Sequence, residues 1–304
     1  MTAPAAPPAG GRPPPPARPG ALLEPDLLTR LERLQLHTAR PLAGRFGGEH
    51  RSRRHGTSVD FADYREYHPG DDFRRIDYHL YARLDVLLLK LFEAEDDLTV
   101  RLLVDTSASM AGPKLHQARR VAGALGFVSL VRRDAVTVHT FPPDRPAPRF
   151  TGRGATEPLF RHLLGLRAGG VTPFAPACAD LLARPGPPGY TVVLSDLLTE
   201  DWRDGLARLP GRGAQVVVVH VLDAEELRPS MVGDYELIDR ESGVRVAVSL
   251  SPATIDEYER RARAWADDVA AQCRRAGAAY VRLLSDEDLA TRLLGSWRDQ
   301  GVLR

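Results

Sequence analysis

Between residues 98 and 222, short apolar runs alternate with amphipathic segments, and this alternation limits the possible folds more than any other feature of the sequence. The apolar runs predict strands at 98–105, 135–141, 190–196 and 214–222. The segments between them predict helices at 113–132, 157–167, 173–183 and 201–209. Strands that are apolar along their whole length are typical of parallel sheets with helices on both faces. The sequence therefore predicts a doubly wound, mostly parallel α/β fold.

The 304 residues divide into three predicted parts. Residues 1–20 contain eight of the 25 prolines and no acidic residue, which predicts a disordered or polyproline-like tail. Residues 21–97 are predicted to begin with a helix at 26–40 and to continue with short strands and turns, including a strand near 84–92. Residues 98–304 are predicted to form the α/β domain. Its C-terminal elements are a hairpin at 234–248, a helix at 252–275, a strand at 279–284 and a helix at 286–297.

Charge and cysteine usage argue against several classes of protein. The chain has 41 basic and 40 acidic residues, without the basic surplus of most nucleic-acid-binding proteins. Cys178 and Cys273 are the only cysteines and form no CxxC pair, which argues against a disulfide scaffold and a cysteine zinc site. No apolar run approaches the ~18 residues of a membrane span, and no secretion signal is evident. We therefore expect a soluble, cytoplasmic protein.

Motifs of common enzyme classes are missing from the sequence. Arginine supplies nearly all of the basic charge, since Lys90 and Lys114 are the only lysines. Neither lysine follows the glycine pattern of a Walker A loop, so the chain is not predicted to be an ATPase itself. The sequence contains no Gly-x-Ser-x-Gly or HExxH motif. We therefore predict a protein that is not an enzyme.

Oxygen-bearing side chains follow the predicted strands and loops at one edge of the sheet. The first strand ends at Asp105, and Ser107 and Ser109 come directly after it, while Thr172 and Asp196 lie in two other loops. Ligands of open α/β sheets bind at the carboxyl ends of the strands, and hard oxygens suit Mg²⁺ or Mn²⁺. The five residues therefore form a candidate divalent-cation site. The simpler interpretation of Asp-x-Ser-x-Ser alone is a cap of the next helix.

The five residues resemble the metal-ion-dependent adhesion site of von Willebrand factor A-like domains. The resemblance implies that Ser107, Ser109 and Thr172 contact Mg²⁺ or Mn²⁺ directly. It implies that Asp105 and Asp196 act largely through water, and that a carboxylate of a partner protein completes the coordination. A leucine follows Asp196 where adhesion-type domains commonly have glycine.

A second set of motifs lies between residues 48 and 83, with an acid-rich turn farther along the chain. The motifs are Gly48-Glu49-His50-Arg51-Ser52, Gly70-Asp71-Asp72-Phe73-Arg74-Arg75-Ile76-Asp77, Ala82-Arg83 and the turn Asp239-Arg240-Glu241-Ser242-Gly243. With these motifs the chain resembles, over about residues 27–298, an uncharacterised bacterial family with a von Willebrand factor A-like core, whose members are commonly encoded beside MoxR-type AAA+ ATPases. Asp60 and Tyr78 replace the usual Glu and Trp. The resemblance implies that such an ATPase, or its client, is the protein partner.

The leading hypothesis is a metal-ion-dependent protein-interaction module that works with a MoxR-type AAA+ ATPase in a chaperone-like or assembly role. A first alternative is a metal-independent scaffold of the same fold, held by an Arg/Asp network at 65–83, with the partner docking on residues 45–83. A second is a metal-dependent hydrolase. A basic patch at 45–55 could bind nucleic acid, but no aromatic residues are interleaved with its charges, and we predict no nucleic-acid partner.

Overall fold

The computed structural model describes residues 22–36, 61–68, 71, 73, 76–92, 98–143, 147–184, 189–209, 215–299 and 302–303. The chain forms two compact units, one of residues 1–42 and 98–304, the other of residues 43–97. The predicted tail at 1–20 and the basic patch at 45–55 lie outside the described residues. None of the described helices is long and apolar enough to span a membrane.

The helices and strands of the described residues follow in chain order. They are α1 (Pro25–Leu31), β1 (Phe61–Glu66), α2 (Tyr78–Leu84), β2 (Leu88–Phe92), β3 (Thr99–Asp105), α3 (Pro113–Val131), β4 (Ala135–Phe141), β5 (Arg149–Thr151), α4 (Thr156–Gly165), α5 (Phe174–Ala183), β6 (Gly189–Ser195), α6 (Trp202–Arg208), β7 (Gln215–Leu222), α7 (Ala224–Leu227), β8 (Gly233–Ile238), β9 (Arg245–Leu250), α8 (Pro252–Arg275), β10 (Ala279–Leu284), α9 (Leu289–Leu294) and α10 (Ser296–Asp299).

A six-stranded sheet forms the centre of the larger unit. Its strand order is β10-β7-β6-β3-β4-β5, and every pair is parallel except β4 with β5. All seven residues of β6 are buried, which explains why most of this strand is apolar. The predicted α/β fold with a mostly parallel sheet is thereby confirmed. The edge strand β5 was not predicted, because its three residues, of which two are polar, are too few to show an alternation of apolar and polar positions.

The N-terminal helix belongs to the larger unit. Leu22, Leu27 and Leu31 are buried in the same hydrophobic cluster as the apolar face of α3. Leu22 lies so close to Gly123 of α3 that a Cβ there would fall within 3.0 Å of it. The helix was predicted at 26–40 but ends at Leu31. Residues 37–40 lie outside the described residues. The predicted division at 21–97 grouped this helix with the segment that follows it.

The smaller unit contains an antiparallel pair, β1 with β2, and the helix α2. Asp77, the last residue of the motif at 70–77, is the N-cap of this helix. Its Oδ1 accepts hydrogen bonds from the amides of His79 and Leu80. The Tyr64 hydroxyl donates to Asp77 Oδ2 at 3.1 Å. The helix was not predicted. Its last residue is Leu84, and the strand predicted at 84–92 therefore begins later, at Leu88.

The C-terminal part adds a hairpin and helices to the larger unit. Strands β8 and β9 pair antiparallel, as predicted at 234–248, and α8 has the predicted bounds. The helix predicted at 286–297 is divided into α9 and α10 at Gly295. The side chains of Trp297 and Leu303 are fully buried in the core.

Two helical glycines give a matched test of packing around α5. A Cβ at Gly205 in α6 would fall within 3.0 Å of the buried Phe174 ring, whereas a Cβ at Gly165 in α4 would meet nothing within 4 Å. We expect Gly205→Ala to lower the free energy of unfolding by about 1–3 kcal/mol. We expect Gly165→Ala to leave it unchanged or to raise it by up to ~1 kcal/mol. Urea titration measures both, and equal effects would contradict the close packing of Phe174.

Candidate functional site

The candidate site lies at the carboxyl edge of β3 and β6, where loops from three parts of the chain meet. The amide of Gly169 donates to the carbonyl of Thr106 at 2.8 Å, and the amide of Ala108 donates to the carbonyl of Gly170 at 2.9 Å. Gly170 has φ +79°, a conformation that glycine adopts without strain. These bonds fix the loop that carries Thr172 against the loop that follows β3.

Asp105 is the last residue of β3 and is fully buried. Its Oδ1 accepts a hydrogen bond from the Ser107 amide at 2.9 Å, and its Oδ2 accepts one from the Ser195 hydroxyl at 2.5 Å. Burial raises the pKa of Asp105 to about 7, and the negative charge of Asp196 adds to the effect. A carboxylate with a raised pKa is one that a nearby cation would stabilise.

Ser107 and Ser109 lie side by side after β3. Their hydroxyl oxygens are 3.0 Å apart, and Ser107 is fully buried. Two adjacent ligands of an octahedral Mg²⁺, each bound at 2.0–2.1 Å, are about 3 Å apart. The two hydroxyls therefore have the spacing of neighbouring ligands of one cation.

Thr172 is nearly buried and is bound by a carboxylate that the sequence did not predict. Its hydroxyl donates to Glu241 Oε1 at 2.8 Å, and its amide donates to Glu241 Oε2 at 3.1 Å. Its carbonyl accepts from the Thr199 hydroxyl at 3.3 Å, which ties this loop to the one after β6. Glu241 comes from the turn of the β8–β9 hairpin.

Asp196 is paired with a lysine. Its Oδ2 accepts from Lys114 Nζ at 2.7 Å, and its Oδ1 accepts from the Leu198 amide at 3.1 Å. The same ammonium group contacts Glu226. Burial alone would lower the pKa of Lys114, but the charges of Asp196 and Glu226 raise it above its ordinary value. Lys114 is thus a permanent positive charge that neutralises part of the acidic charge at this edge.

A buried histidine supports the backbone of Asp196. His220 on β7 lies 2.8 Å, through Nε2, from the Asp196 carbonyl, and its Nδ1 lies 2.9 Å from the Tyr280 hydroxyl. Burial lowers the pKa of His220 to about 4, against a smaller opposing effect of the hydrogen bond to Asp196. The ring is therefore neutral at pH 7, and Nε2 donates while Nδ1 accepts.

The residue after Asp196 adopts a conformation typical of glycine. Leu197 has φ +54°, in the left-handed region that costs a non-glycine residue roughly 1–2 kcal/mol. Its side chain is fully buried in a cluster with Val193 and Trp202. Burial of a leucine side chain stabilises by about 1.5–3 kcal/mol, which offsets that cost. Leu197 can therefore hold a conformation that glycine adopts without strain.

The five predicted residues occupy neighbouring loops of one sheet edge, but the residues that hold them there were not predicted. Among the described residues, no three His, Cys, Asp or Glu side chains group as metal ligands, so hydroxyl oxygens would supply much of the donor set. The unpredicted residues are Lys114, Ser195, His220, Glu226 and Glu241. One signal was available for Lys114, since it is one of only two lysines in a chain that otherwise uses arginine.

Removing the buried ammonium tests its structural role. We expect Lys114→Met to lower the free energy of unfolding by about 3–5 kcal/mol, because Asp196 and Glu226 would be left without a counter-charge. Arg245→Met removes an exposed partner of Glu236 and is the matched control, with an expected loss below about 1 kcal/mol. Urea titration of the metal-free protein measures both. Equal losses would contradict the role of Lys114.

The raised pKa of Asp105 predicts an unusual pH dependence of stability. The folded-state pKa of about 7 exceeds the ordinary aspartate pKa of 3.8, so ionised Asp105 destabilises the fold above pH 7 and the penalty fades toward pH 4. In chelator at pH 8, we expect Asp105→Asn to be about 1–3 kcal/mol more stable than wild type. This difference in the free energy of unfolding between Asp105→Asn and wild type should shrink as the pH falls from 7 to 4. Urea titrations at several pH values measure it, with the exposed Asp180→Asn as control.

A protein-family comparison matches residues 63–267 to the family described as protein of unknown function DUF58. Uncharacterised proteins of Mycobacterium bovis and Mycobacterium tuberculosis are each 31% identical to the chain over 281 residues, which is 88% of this chain and 88% of theirs. An uncharacterised protein of Mycobacterium avium is 31% identical over 133 residues, which is 40% of this chain and 78% of that protein.

Two solved structures show weaker similarity. The conserved hypothetical protein BatB of Bacteroides thetaiotaomicron is 16% identical with a TM-score of 0.37, and an aerotolerance-related membrane protein of Bacteroides fragilis is 15% identical with a TM-score of 0.40. Each match covers 67% of this chain and 98% of the other. Neither similarity is close enough to assign a function. The family match and the mycobacterial relatives show that this chain belongs to the DUF58 family.

Proposed function

We propose that the protein is a metal-ion-dependent protein-interaction module with a von Willebrand factor A-like core. The observation that carries the proposal is the pair of hydroxyls of Ser107 and Ser109, 3.0 Å apart, next to the buried carboxyl of Asp105. Their spacing and chemistry suit neighbouring ligands of Mg²⁺ or Mn²⁺. Nothing in this donor set requires a substrate or a catalytic base.

The chain's own residues would hold the cation at the carboxyl edge of the sheet. Ser107, Ser109 and Thr172 supply hydroxyl oxygens, and a hydroxyl that donates its hydrogen to a carboxylate keeps lone pairs for a metal. Asp105 supplies negative charge and is oriented by its bond from Ser195. When bound, Mg²⁺ or Mn²⁺ supplies an open coordination position that a carboxylate oxygen of another protein can fill.

Asp196 would contribute differently from the hydroxyl ligands. Both of its carboxylate oxygens already accept hydrogen bonds, one from Lys114 and one from the Leu198 amide. Its remaining lone pairs are available to an ordered water. We therefore propose that Asp196 acts on the cation through water and through its charge.

Exposed apolar side chains around the site support a role in protein binding. Val171, beside Thr172, is 57% exposed, and Leu198, beyond Asp196, is 46% exposed. A groove of about 300 Å³ begins at Leu198 and is lined in part by Tyr258 and Trp265. Apolar and aromatic side chains around a polar centre are typical of protein interfaces. From the family resemblance, we propose a MoxR-type AAA+ ATPase or its client as the partner.

A second candidate function is a metal-independent scaffold of the same fold. The specific observation is Lys114, a buried ammonium that already neutralises Asp196 and contacts Glu226. These ion pairs link α3 to the loop after β6 and to α7 without a metal. Under this alternative, partner binding would survive a chelator.

Titration calorimetry with Mg²⁺ and with Mn²⁺ tests the metal site. We expect the wild type to bind either cation, and Asp105→Ala to weaken binding at least tenfold, because a buried negative charge is lost. Asp180→Ala removes an exposed carboxylate elsewhere and should leave binding unchanged. An Asp105→Ala variant that binds as tightly as wild type would contradict the assignment of the site.

Partner binding separates the two candidate functions. Capture of a purified MoxR-type AAA+ ATPase by the immobilised protein is measured in Mg²⁺ and in EDTA. Loss of capture both in EDTA and in Asp105→Ala supports the metal-dependent module. Capture that persists in EDTA would replace it with the metal-independent scaffold.

A further inference from the structure

The β8–β9 hairpin is an exposed arm whose turn reaches the candidate site. Every residue of β8 is exposed, and apolar side chains such as Tyr235, Leu237 and Val246 are each more than a third exposed. The turn between the strands, in contrast, is bonded to two loops of the site through Arg240 and Glu241. The hairpin is therefore attached to this edge of the sheet at its tip.

Hydrogen bonds within the turn fix the position of Glu241. Asp239 Oδ1 accepts hydrogen bonds from the Glu241 amide at 3.0 Å, the Ser242 amide at 2.5 Å and the Ser242 hydroxyl at 2.7 Å. The Gly243 amide donates to the Asp239 carbonyl at 2.9 Å, and Gly243 has φ +72°. These bonds fix the backbone of Glu241 before it meets the site, as in other Asx turns.

Glu241 uses both of its carboxylate oxygens on one residue of the site. Oε1 accepts from the Thr172 hydroxyl at 2.8 Å and Oε2 accepts from the Thr172 amide at 3.1 Å. Arg240 adds a second attachment, because its guanidinium donates to the Ala111 carbonyl at 3.4 Å. Thr172 is only 6% exposed, so this carboxylate lies in a partly desolvated place where charge-assisted bonds are strengthened.

Glu241 lies beside Thr172, one of the hydroxyls that the proposed function assigns to the cation. The 2.8 Å between Thr172 Oγ1 and Glu241 Oε1 is close to the separation of adjacent ligands of an octahedral Mg²⁺. A carboxylate oxygen at this distance from Thr172 is placed to act as a neighbouring ligand of a cation bound there. The chain thus carries a candidate for the carboxylate that the proposed function otherwise assigns to a partner.

We propose that Glu241 is an internal carboxylate ligand of this site, and that the β8–β9 hairpin competes with a protein segment that presents an Asp or Glu side chain. This inference rests on the proposed function, because it names what regulates the same site. A tethered ligand has an effective concentration in the millimolar range, so an external carboxylate must bind with several contacts to displace it. Release of the hairpin breaks few contacts, because β8 is exposed along its whole length and β9 is half-buried only at Val248 and Leu250.

Hydrogen exchange on the intact chain tests the internal contact without a metal. In EDTA, we expect Glu241→Ala to raise the exchange rates of the Thr172 amide and of the 239–244 turn at least tenfold. Glu236→Ala on the same hairpin, which removes the partner of Arg245, should leave the Thr172 amide unchanged. Unchanged exchange at Thr172 in Glu241→Ala would overturn the proposal. Unaltered exchange in β3 and β6 serves as the check that both variants are folded.

A peptide added in trans tests the competition. The probe is a fluorescent peptide of residues 233–250, closed by a disulfide between cysteines added beyond Gly233 and Leu250, which pair in the hairpin. We expect the full-length Glu241→Ala protein to bind it at least tenfold more tightly than wild type or Glu236→Ala. The same peptide with Gln at the position of Glu241 should bind at least tenfold more weakly. Equal binding by Glu241→Ala and wild type would overturn the proposal.

Measurements in Mg²⁺ and in EDTA distinguish this proposal from the proposed function. Peptide binding to Glu241→Ala that requires Mg²⁺ supports both. Binding that persists in EDTA retains the internal carboxylate as a partner of Thr172, and a failure of the wild type to bind Mg²⁺ in the calorimetric titration would then remove the metal from the function. If the wild type binds Mg²⁺ but Glu241→Ala gains no affinity for the peptide, the internal ligand is excluded and the metal site remains.

Discussion

The buried carboxyl of Asp105 is the constraint on which the site depends. It lies at the end of β3, the strand between β4 and β6, and it accepts hydrogen bonds from its own loop through Ser107 and from β6 through Ser195. Ser195 in turn accepts from the Leu197 amide, so one carboxyl fixes the start of two loops. The cost of burying this acid is tolerable only because both oxygens are bonded.

Charge at this edge is only partly balanced within the chain. Asp105, Asp196 and Glu226 are three acids, and Lys114 is the ammonium group that meets two of them. Lys114 therefore stabilises the loop after β6 and the helix α7, while Asp105 is left with hydroxyl and amide donors. Such an arrangement folds without a metal and still favours a cation next to Asp105.

The sequence predicted the features that depend on long apolar patterns. The buried strands and α8 came close to their observed bounds, since their periodicity follows directly from burial. The helix α2 and the strand β5 were not predicted. An N-cap residue and a strand of three residues produce no periodic pattern of apolar residues in the sequence. The predicted oxygen ligands all lie at one sheet edge. Glu241, however, is 69 residues from Thr172 in sequence, and only tertiary structure brings the two together.

The choice of hydroxyl donors has a consequence for what the site binds. If Ser107, Ser109 and Thr172 bind a cation as proposed, these neutral ligands would leave most of the positive charge on it, whereas direct carboxylate ligands would neutralise it. Lys114 strengthens this effect, because it already satisfies the charge of Asp196. A cation held in this way would attract a carboxylate strongly, and an unguarded site would bind many acidic surfaces. As proposed, an internal carboxylate such as Glu241 would limit binding to partners whose additional contacts outweigh the tethered hairpin.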